Sequence, residues 1–486
     1  MAVKFSPEQE KILRSVQRFA KSKRVRLYLV GGILRDALLG REDKSPDFDF
    51  CLKRGAVNFG RKLAGSMGAG FVVLDKEHGA SRLVKKTARG FLTLDFADFR
   101  GASLEIDLLH RDFTINSLAA ELEDIVSQDN LSGSLIDPHG AQRDLKAKVI
   151  RVISRESFSE DPLRILRAFS LSSRLRFIID KETRRLAEKQ KEGLRKVSAE
   201  RIRDELFKIL AAKDSHDFIV ALDRSKILEL IFPELLPLRG IGQGPYHHLD
   251  VWGHSLETLK QTDILLEELR GHREIKSYLA LCLCAQRNRG QTLKLAALLH
   301  DLGKPATMRR QDRKITFHGH ERVGAGIMAE IGRRLKLSGE ELGSLRRIIL
   351  CHLRPGFLSD LKVLTARAKF RFFRDAGEEA INVLLLSVAD QRATKGRLAT
   401  PASRRRQEKT AFTLAREYFR RQKEEKPARL VNGDELMSRF KLGPSPLIGK
   451  ILSGLEELQA IGKIKTKTEA FKASAKILRG NVPGGR

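Results

Sequence analysis

Spacing of apolar residues divides the chain into a strand-rich first part and a helix-rich remainder. An apolar run at 27–30 and the alternation of apolar and polar residues at 47–50 predict two short strands, and helical spacing at 33–39 predicts a helix between them. A third strand is predicted at 91–99, where apolar and polar residues alternate. From about residue 151 the spacing is that of amphipathic helices. We therefore expect the α+β class, with a small α/β head followed by a largely α-helical body.

Weaker patterns complete the head and set the expected domain limits. A buried strand is predicted at 71–74, another strand at 81–85, and a polar, basic helix at 7–23. A chain of 486 residues is long enough for about three or four domains. The expected order is an N-terminal helix (1–24), the head (25–150), a helical neck (151–238), a second helical domain (239–398), a basic linker helix (399–428) and a small helical C-terminal module (429–486).

A Gly-Gly pair, Gly31 and Gly32, separates the first strand from the helix that follows it. Glycine lets backbone amides come close to a phosphate group, and the N-terminus of a helix favours anions. A Gly-Gly pair on its own marks only a turn. Its position between a strand and a helix is consistent with a phosphate-binding turn.

Two acidic residues follow on the second predicted strand. Side chains alternate between the two faces of a strand, so Asp47 and Asp49 share one face while Phe48 and Phe50 point into a core. Such pairs are usually surface charges, but adjacent carboxylates repel, and divalent cations with oxygen ligands would explain them here. By the same alternation Asp95 lies on the polar face of the third strand, where it is either a third metal ligand or a solubilising charge.

Composition indicates a polyanionic partner. The chain has 92 Lys and Arg against 61 Asp and Glu, a net charge of +31, and a pI near 10.2. A basic excess of this size favours binding to nucleic acid. The four cysteines stand apart in apolar runs, which predicts buried free thiols and no zinc site. We find no signal peptide and no apolar run of about twenty residues, so we expect a cytoplasmic protein without a membrane segment.

The order of these features resembles the head domain of the class II tRNA nucleotidyltransferase and bacterial poly(A) polymerase family, within the polymerase-beta-like nucleotidyltransferases. The shared order is a strand, Gly-Gly, Arg35-Asp36 and a DxDF motif at 47–50. The family's RRDFTIN motif is similar to residues 110–116, with His110 in place of the first arginine. The resemblance implies a magnesium-dependent head that binds ATP and CTP. The implied ligands are, for the metal, Asp47, Asp49 and Asp95, and, for the triphosphate, Gly32, Arg35 and Arg111.

Residues 158–167 (FSEDPLRILR) are similar to the family's neck motif. Asp161 and Arg164 are three residues apart on a predicted helix, so they share a face, and an isolated pair of this kind is usually an ion pair. The resemblance implies instead that both side chains hydrogen-bond the base edge of the incoming nucleotide, with Arg167 near its phosphates. Ser170 stands where the family often has another arginine. A later element similar to the family's ERxxxE motif is expected to brace the neck: Glu200, Arg201 and Glu205.

A second set of metal-binding residue types lies in the helical body. Its order along the chain, H…HD…D, is similar to that of HD-superfamily phosphohydrolases, and two further histidines fit their binuclear members. The resemblance implies a centre for a divalent transition metal or magnesium, with Lys304 near a phosphate group. The implied ligands are His254, His300, Asp301, His320, His352 and Asp390. A relic domain without activity is the alternative.

Together these features predict an enzyme that adds C, A or both to the 3′ end of tRNA, with an associated phosphohydrolase activity. Only ten residues separate Arg100 from Arg111, where CCA-adding relatives usually carry a longer flexible loop, and this favours a CC-adding enzyme. The basic segment 399–428 and the module 429–486 are expected to contact RNA. The alternatives are a poly(A) polymerase, an HD phosphohydrolase with a nucleotide-sensing head, and a non-catalytic RNA-binding protein.

Overall fold

The structure, a computed structural model, describes residues 5–41, 47–87, 90–127, 134–312, 314–424 and 428–479. The described part excludes residues 42–46, before the DxDF motif, and the last residues of the predicted C-terminal module, 480–486. Contacts divide the chain into two compact units. The first comprises Met1–Ile209 and Ser225–Leu230, and the second Leu210–Arg224 and Ile231–Arg486.

The first unit contains a seven-stranded mixed sheet in its described residues. The strand order is β3-β4-β5-β2-β1-β6-β7, with β2 and β5 parallel and the other neighbours antiparallel. The strands are β1 Tyr28–Val30, β2 Asp47–Leu52, β3 Gly70–Asp75, β4 Ala80–Thr87, β5 Gly90–Asp98, β6 Ala119–Glu121 and β7 Leu135–Ile136. The helices of the head are α1 Pro7–Ser22, α2 Gly32–Leu38, α3 Ala56–Met67, α4 Leu104–Leu109, α5 Leu122–Ser127 and α6 Ala141–Ala147.

Aromatic side chains form the core beneath the sheet. Phe48 and Phe50 of β2 are buried, and Phe50 stacks on Phe96 of β5 with ring centroids 5.0 Å apart. This confirms the predicted alternation on both strands. The predicted burial of 71–74 is wrong, because β3 is an edge strand with one face in solvent and Val72 and Leu74 are about half exposed.

The remainder of the first unit is the helical neck. Its helices are α7 Ser157–Glu160, α8 Arg164–Leu175, α9 Lys181–Gln190 and α10 Ala199–Leu210, and a short parallel pair joins β8 Val149–Ile150 to β9 Ile178–Ile179. Helix α8 is buried over most of its length, including Ile165, Leu166 and Phe169. Arg164 at its first position is therefore held beside the head.

The second unit is mainly helical. It begins with α11 Ser215–Arg224, and the short helix α12 Leu228–Ile231 has its first three residues in the first unit and its last in the second. The other helices of the second unit are α13 Val251–Glu268, α14 Arg273–Ala280, α15 Arg289–Leu299, α16 Lys304–Thr307, α17 His320–Arg334, α18 Gly339–Cys351, α19 Arg354–Ser359, α20 Ala366–Ala376, α21 Ala380–Ala393, α22 Pro401–Lys423, α23 Gly433–Phe440, α24 Pro446–Ala460 and α25 Lys467–Arg479. Two hairpins pair β10 Cys282–Cys284 with β11 Arg287–Asn288 and β12 Arg309–Gln311 with β13 Lys314–Thr316. Every residue of α15 except Gly290 is buried, so this helix lies at the centre of the unit. Within the described ranges, no helix is both long and apolar enough to span a bilayer.

The cysteines are free thiols, as predicted. Cys51 and Cys351 are buried, but the predicted burial is wrong for Cys282, which is exposed on the short strand β10. A two-stranded hairpin at the surface has no layer of structure to cover both its faces, which explains the difference.

Candidate functional site

Three carboxylates share one face of the parallel pair β2 and β5. The register sets Asp49 opposite Asp95, and Asp47 opposite Thr93, two positions away on the same face. Phe48 and Phe50 point to the other face, into the core. The structure therefore brings together the three acidic residues that the sequence selected.

The charge of these carboxylates is only partly compensated by the protein. Burial, together with the nearby charges of Asp95 and Asp47, raises the pKa of Asp49 to about 6, although the guanidinium of Arg111 lowers it. A group of oxygen ligands whose negative charges repel each other suits hard divalent cations such as magnesium. The residues present thus fit the implied metal.

Gly31 and Gly32 have different roles in the turn between β1 and α2. Gly31 has φ +79°, and a Cβ atom there would lie 3.1 Å from Nη1 of Arg111 and 3.5 Å from Oδ2 of Asp49. This close approach, with a backbone angle that other residues rarely adopt, requires glycine. Gly32 is the first residue of α2, and its predicted nucleotide contact stays a prediction.

Arg35 is buried rather than open to a ligand. Its Nε and Nη2 donate to the carboxylate of Asp36 at 2.9 and 2.8 Å, and Nη1 donates to Oδ1 of Asn116 at 2.5 Å. These bonds tie α2 to the short turn Thr114–Asn116. In this structure Arg35 braces the glycine turn, and its predicted triphosphate contact is untested.

Arg111 stands beside the carboxylates, with Asp112 behind it. Nη2 of Arg111 lies 3.4 Å from Oδ2 of Asp107. Burial alone would raise the pKa of Asp112, but Arg167, whose Nη2 is 2.9 Å away, and hydrogen bonds from Asn116 and the backbone of Phe113 lower it below its ordinary value. Arg167 is therefore held by a buried carboxylate next to the head.

The segment between Arg100 and Arg111 is an ordered helix, α4. Ser103 caps it by accepting from the backbone N–H of Ile106, and Leu104 and Leu108 are buried in the head. The buried carboxylate of Asp107 also accepts from the backbone N–H of Arg100 at 3.1 Å. The ten-residue connection is thus fixed at both ends by side-chain bonds.

Asp161 and Arg164 do not form the ion pair with each other that their spacing allows. Asp161 lies before α8 in extended conformation, where its Oδ1 accepts from the backbone N–H of Leu163 and its Oδ2 pairs with Arg201 at 2.8 Å. The expectation that Asp161 and Arg164 share one face of a helix is therefore wrong, since α8 begins at Arg164 and Pro162 favours an extended conformation for Asp161.

Arg164 is buried and tied to the head. Its Nη1 donates to the carbonyl of Ser157 and to Glu160, both at 3.1 Å, and its Nη2 donates to the carbonyl of His110 at 2.6 Å. Nδ1 of His110 is 3.2 Å from the same Glu160. The neck arginine is thus fixed by the residue that replaces the family's arginine.

In the second unit, six side chains converge between α13, α15, α17, α18 and α21. Nε2 of His254 is 2.8 Å from Oδ1 of Asp390, Nε2 of His300 is 3.1 Å from Oδ2 of Asp301, and Nε2 of His320 is 3.4 Å from both Oδ1 of Asp301 and Nε2 of His352. Two subsets have all their ligand atoms within 4.8 Å: His254, His300 and Asp390, and His300, Asp301 and His352. The structure brings all six predicted ligands together.

Local backbone geometry aims the histidines at one another. The Nδ1 atoms of His300, His320 and His352 lie 3.0, 2.8 and 2.6 Å from the carbonyl oxygens three residues earlier. His300 and His352 follow the last residues of α15 and α18, where helix carbonyls have no partner within the helix. With Nδ1 donating to a carbonyl, each Nε2 is left as a metal-binding atom. The cluster therefore fits one or two divalent metal ions.

Lys304, which the family resemblance implied near a phosphate group, lies against this cluster, and so does His247, which was not predicted. Nζ of Lys304 is 2.6 Å from Oδ2 of Asp301 and donates to Oε1 of Gln243 at 2.5 Å. The ring of His247 meets that of His254 edge-on at 4.7 Å, and burial, with the charges of His254 and Lys304, lowers its pKa to about 3. In the sequence, the two adjacent histidines His247 and His248 before α13 are the signal that could have indicated His247.

Three family models match the chain. They are the poly A polymerase head domain over residues 27–151, the probable RNA and SrmB-binding site of polymerase A over residues 176–238, and the HD domain over residues 251–395. The matched ranges follow the order of head, neck and second helical domain that the sequence predicted.

Relatives match along most of the chain. An A-adding tRNA nucleotidyltransferase of Deinococcus radiodurans is 33% identical over 452 residues, which are 91% of this chain and 93% of that protein. A CC-adding tRNA nucleotidyltransferase of Thermus thermophilus is 30% identical over 455 residues, 91% of each chain. A multifunctional CCA protein of Hahella chejuensis is 34% identical over 324 residues, 64% of this chain and 68% of that protein.

Solved structures share the fold at lower identity. A CCA-adding enzyme with ATP has a TM-score of 0.62 and 21% identity, covering 99% of this chain and 97% of that chain. A Thermotoga maritima CCA-adding enzyme with tRNA has a TM-score of 0.60 and 22% identity, covering 98% of this chain and 99% of that chain. This likeness confirms the predicted α+β fold with a small mixed-sheet head and a helical body.

Proposed function

Since this chain belongs to the tRNA nucleotidyltransferase and poly(A) polymerase family, we propose that it adds C, A or both to the 3′ end of tRNA without a nucleic-acid template. The observation that carries the proposal is the row of carboxylates on β2 and β5, with Arg111 beside Asp49. The relatives named as A-adding, CC-adding and CCA enzymes support tRNA as the acceptor and ATP and CTP as the donors. The net charge of +31 supports RNA binding.

In this proposal Asp47, Asp49 and Asp95 hold two magnesium ions in the head. The chemistry that such ions supply is activation of the terminal hydroxyl of the RNA and charge neutralisation of the departing pyrophosphate. Arg111 lies against Gly31 and Asp49, so its guanidinium can donate hydrogen bonds to the triphosphate beside the carboxylates. Gly32 and Arg35 support the same turn from behind.

Asp161 and Arg164 are proposed to read the base of the incoming nucleotide. A carboxylate accepts from the exocyclic amine that both C and A carry, and a guanidinium donates to ring nitrogen or carbonyl acceptors. Arg164 uses two hydrogens of Nη1 and one of Nη2 on the protein, and a guanidinium has five N–H donors. Arg201 fixes Asp161 in turn, so the selecting pair is held rigid.

The ordered helix α4 supports a product shorter than the full CCA end. The family resemblance implies a longer flexible loop at this place in CCA-adding enzymes, where it would serve the change from C to A. Here the segment is capped by Ser103 and packed through Leu104 and Leu108. We propose a CC product, and the A-adding relative makes a single A the second outcome to test.

Incubation of the full chain with tRNA transcripts tests this function. Transcripts ending before the CCA positions and after CC are each given labelled CTP, ATP or both, with magnesium. Two C residues on the first transcript and nothing on the second support the CC assignment, and one A on the second alone replaces it by A addition. Long A tails would identify a poly(A) polymerase. Absence of incorporation under all conditions would overturn the transferase assignment.

Variants of the carboxylates test the site itself. Asp47→Ala and Asp49→Ala should each lower incorporation by about a thousandfold or more, because several kcal/mol of charge stabilisation are lost with the metal. Asp98→Ala is a matched control on β5, since this carboxylate caps α3 by accepting from the backbone N–H of Ala56 at 2.7 Å and faces away from the metal ligands. Equal losses in the control would refute the assigned site.

The second unit is proposed to be a metal-dependent phosphohydrolase. The convergence of His254, His300 and Asp390, and of His300, Asp301 and His352, carries this proposal. The chemistry that a bound divalent transition metal or magnesium supplies is activation of a water for attack on a phosphate ester. Lys304, held by Asp301 and Gln243, would face the phosphate.

A hydrolysis assay separates the two activities. Release of nitrophenol from bis(p-nitrophenyl) phosphate and opening of 2′,3′-cyclic AMP should require added metal and be lost in His300→Ala, while nucleotide incorporation remains. Hydrolysis that persists in Asp47→Ala while no incorporation is found in the unmodified chain would favour a phosphohydrolase with a nucleotide-sensing head. RNA binding with neither activity would identify a non-catalytic RNA-binding protein.

The domain assignment completes the proposal. The head (25–150) and neck (151–238) perform nucleotide transfer, and the domain at 239–398 performs hydrolysis. The basic helix α22 and the module around Val431, Leu436, Ile451 and Leu455, whose side chains form its own small core, are proposed to hold RNA.

A further inference from the structure

Arg82 forms an ion pair with Asp95, the third carboxylate of the head. It lies on β4, and the antiparallel register sets it opposite Asp95 on β5. Its Nε donates to Oδ1 of Asp95 at 2.8 Å, and its Nη2 donates to Oδ2 at 2.7 Å. Both oxygens of this proposed metal ligand are therefore taken by one guanidinium, and the proposed transfer mechanism gives Arg82 no role.

The sheet places Arg82 at the end of a row of residues across neighbouring strands. The row runs from Val30 on β1 through Asp49 on β2 and Asp95 on β5 to Arg82 on β4. The charges of Asp47 and Asp49 also stabilise the guanidinium of Arg82. Arg82 is thus a cation at the Asp95 end of the row of carboxylates, while Arg111 lies beside Asp49.

Arg82 can leave this position, whereas the carboxylates cannot. Its side chain is 44% exposed, against 23% for that of Asp95, and the guanidinium can swing into solvent without opening the core. A two-bond guanidinium contact uses the lone pairs in the carboxylate plane that a metal ion would use. A divalent cation therefore reaches Asp95 by replacing at least one N–H bond of Arg82.

We propose that Arg82 is a placeholder cation: it neutralises Asp95 when the head holds no divalent cation, and it competes with that cation for the carboxylate. This inference rests on the proposed role of Asp95 as a metal ligand. Arg82 is then a residue that sets the metal concentration at which the head becomes loaded. Its removal should tighten metal binding, which is the opposite of what loss of a supporting residue would do.

The test measures metal binding in the head alone, because the second unit has its own cluster of metal-binding residues. Hydrogen exchange followed by mass spectrometry on the full chain reports protection of peptides from β2 and β5 as magnesium chloride is increased, since a cation bound only to the folded head stabilises it. Arg82→Gln should lower the half-maximal magnesium concentration about threefold to fivefold, the upper part of the range for exposed ion pairs with good geometry.

Lys86 provides a matched control. It lies four residues further along β4 on the same face, exposed, and about 13 Å away. Lys86→Gln removes the same charge, so it should leave the half-maximal concentration unchanged within about twofold, because charges at that distance are screened in 0.1 M salt. A shift as large as that of Arg82→Gln would show a general field effect and overturn the competition.

A double-substitution cycle confines the effect to Asp95. In the Asp95→Asn background, Arg82→Gln should no longer change the half-maximal magnesium concentration. In the unmodified chain, Arg82→Lys should shift this concentration less than Arg82→Gln does. A half-maximal concentration that is unchanged or raised in Arg82→Gln would overturn the proposal. Absence of any magnesium-dependent protection in the unmodified chain would instead overturn the metal assignment of the head.

Discussion

Asp49→Asn should make the metal-free head more stable while removing its activity. The raised pKa of Asp49 means that the folded head prefers the protonated carboxyl more strongly than the unfolded chain does. This preference stabilises the fold fully below the unfolded pKa of about 3.9 and is lost as the pH rises through about 6. At neutral pH the ionised carboxylate is therefore a destabilising group, and an amide of the same shape removes the charge.

The size of the effect follows from the two pKa values. The gap between about 6 in the folded head and about 3.9 in the unfolded chain, at about 1.4 kcal/mol per pKa unit, gives about 3 kcal/mol at pH 7.5 as an upper limit. At pH 5, where the folded carboxyl is mostly protonated already, the same relation leaves about 1.5 kcal/mol. The gain should therefore shrink as the solution is made more acidic.

The assay has to report on the head by itself. The single tryptophan, Trp252, lies in the second unit, so its fluorescence does not follow the head. Hydrogen exchange of peptides from β2, in chelator and at the two pH values, gives the free energy of opening locally. Asp75→Asn is a control with the opposite tendency, because hydrogen bonds from the backbone and side chain of His78 lower the pKa of this exposed carboxylate. An opening free energy that is unchanged or lowered in Asp49→Asn at pH 7.5 would refute the reasoning.

Three more predictions concern the turn, the neck and the second unit. Gly31→Ala should lower the free energy of unfolding of the head by about 1–2 kcal/mol and reduce nucleotide incorporation, because a Cβ atom would meet Arg111 and Asp49 there. Gly40→Ala, also at positive φ but with open space around it, should keep the activity. Thermal melts and incorporation assays on tRNA check both variants. Arg201→Ala should raise KM for the preferred nucleotide and the share of wrong bases added about tenfold by freeing Asp161, in competition assays with mixed triphosphates. Chelation followed by dialysis should abolish phosphodiester hydrolysis, and metal analysis of His352→Ala should show a lower content than that of His318→Ala, an exposed histidine outside the cluster.

The faces of the strands could be predicted from sequence, but their neighbours could not. Alternation alone sets Phe48 and Phe50 in the core and the aspartates outside, because a strand has only two faces. The register that joins β2 to β5 depends on tertiary packing across a helix and two strands, and nothing local encodes it. The pairing of Arg82 with Asp95 depends on the register of the hairpin formed by the consecutive strands β4 and β5, which the alternation of side chains does not set.

The neck shows the opposite limit. The three-residue spacing predicted Asp161 and Arg164 on one face of a helix. In the structure, Arg164 instead donates to the backbone carbonyl of His110 in the head. Because every residue has a backbone carbonyl, the residue types in the sequence do not show which carbonyl accepts this hydrogen bond. In the second unit the ligand types were readable, while the carbonyls that orient the histidines come from the ends of helices, whose exact last residues sequence patterns do not give.

The register of the parallel strands β2 and β5 sets both the alignment of the carboxylates and the burial of the aromatic core. A slip of one residue would bring Leu94 or Phe96 opposite Asp49 and turn the other face of the strand toward solvent, so that Asp95 would enter the core. The same misalignment that removes a metal ligand thus exposes aromatic side chains. Misregistered heads would therefore be unstable and selectively removed by proteolysis, and folded molecules are expected to have all three carboxylates aligned.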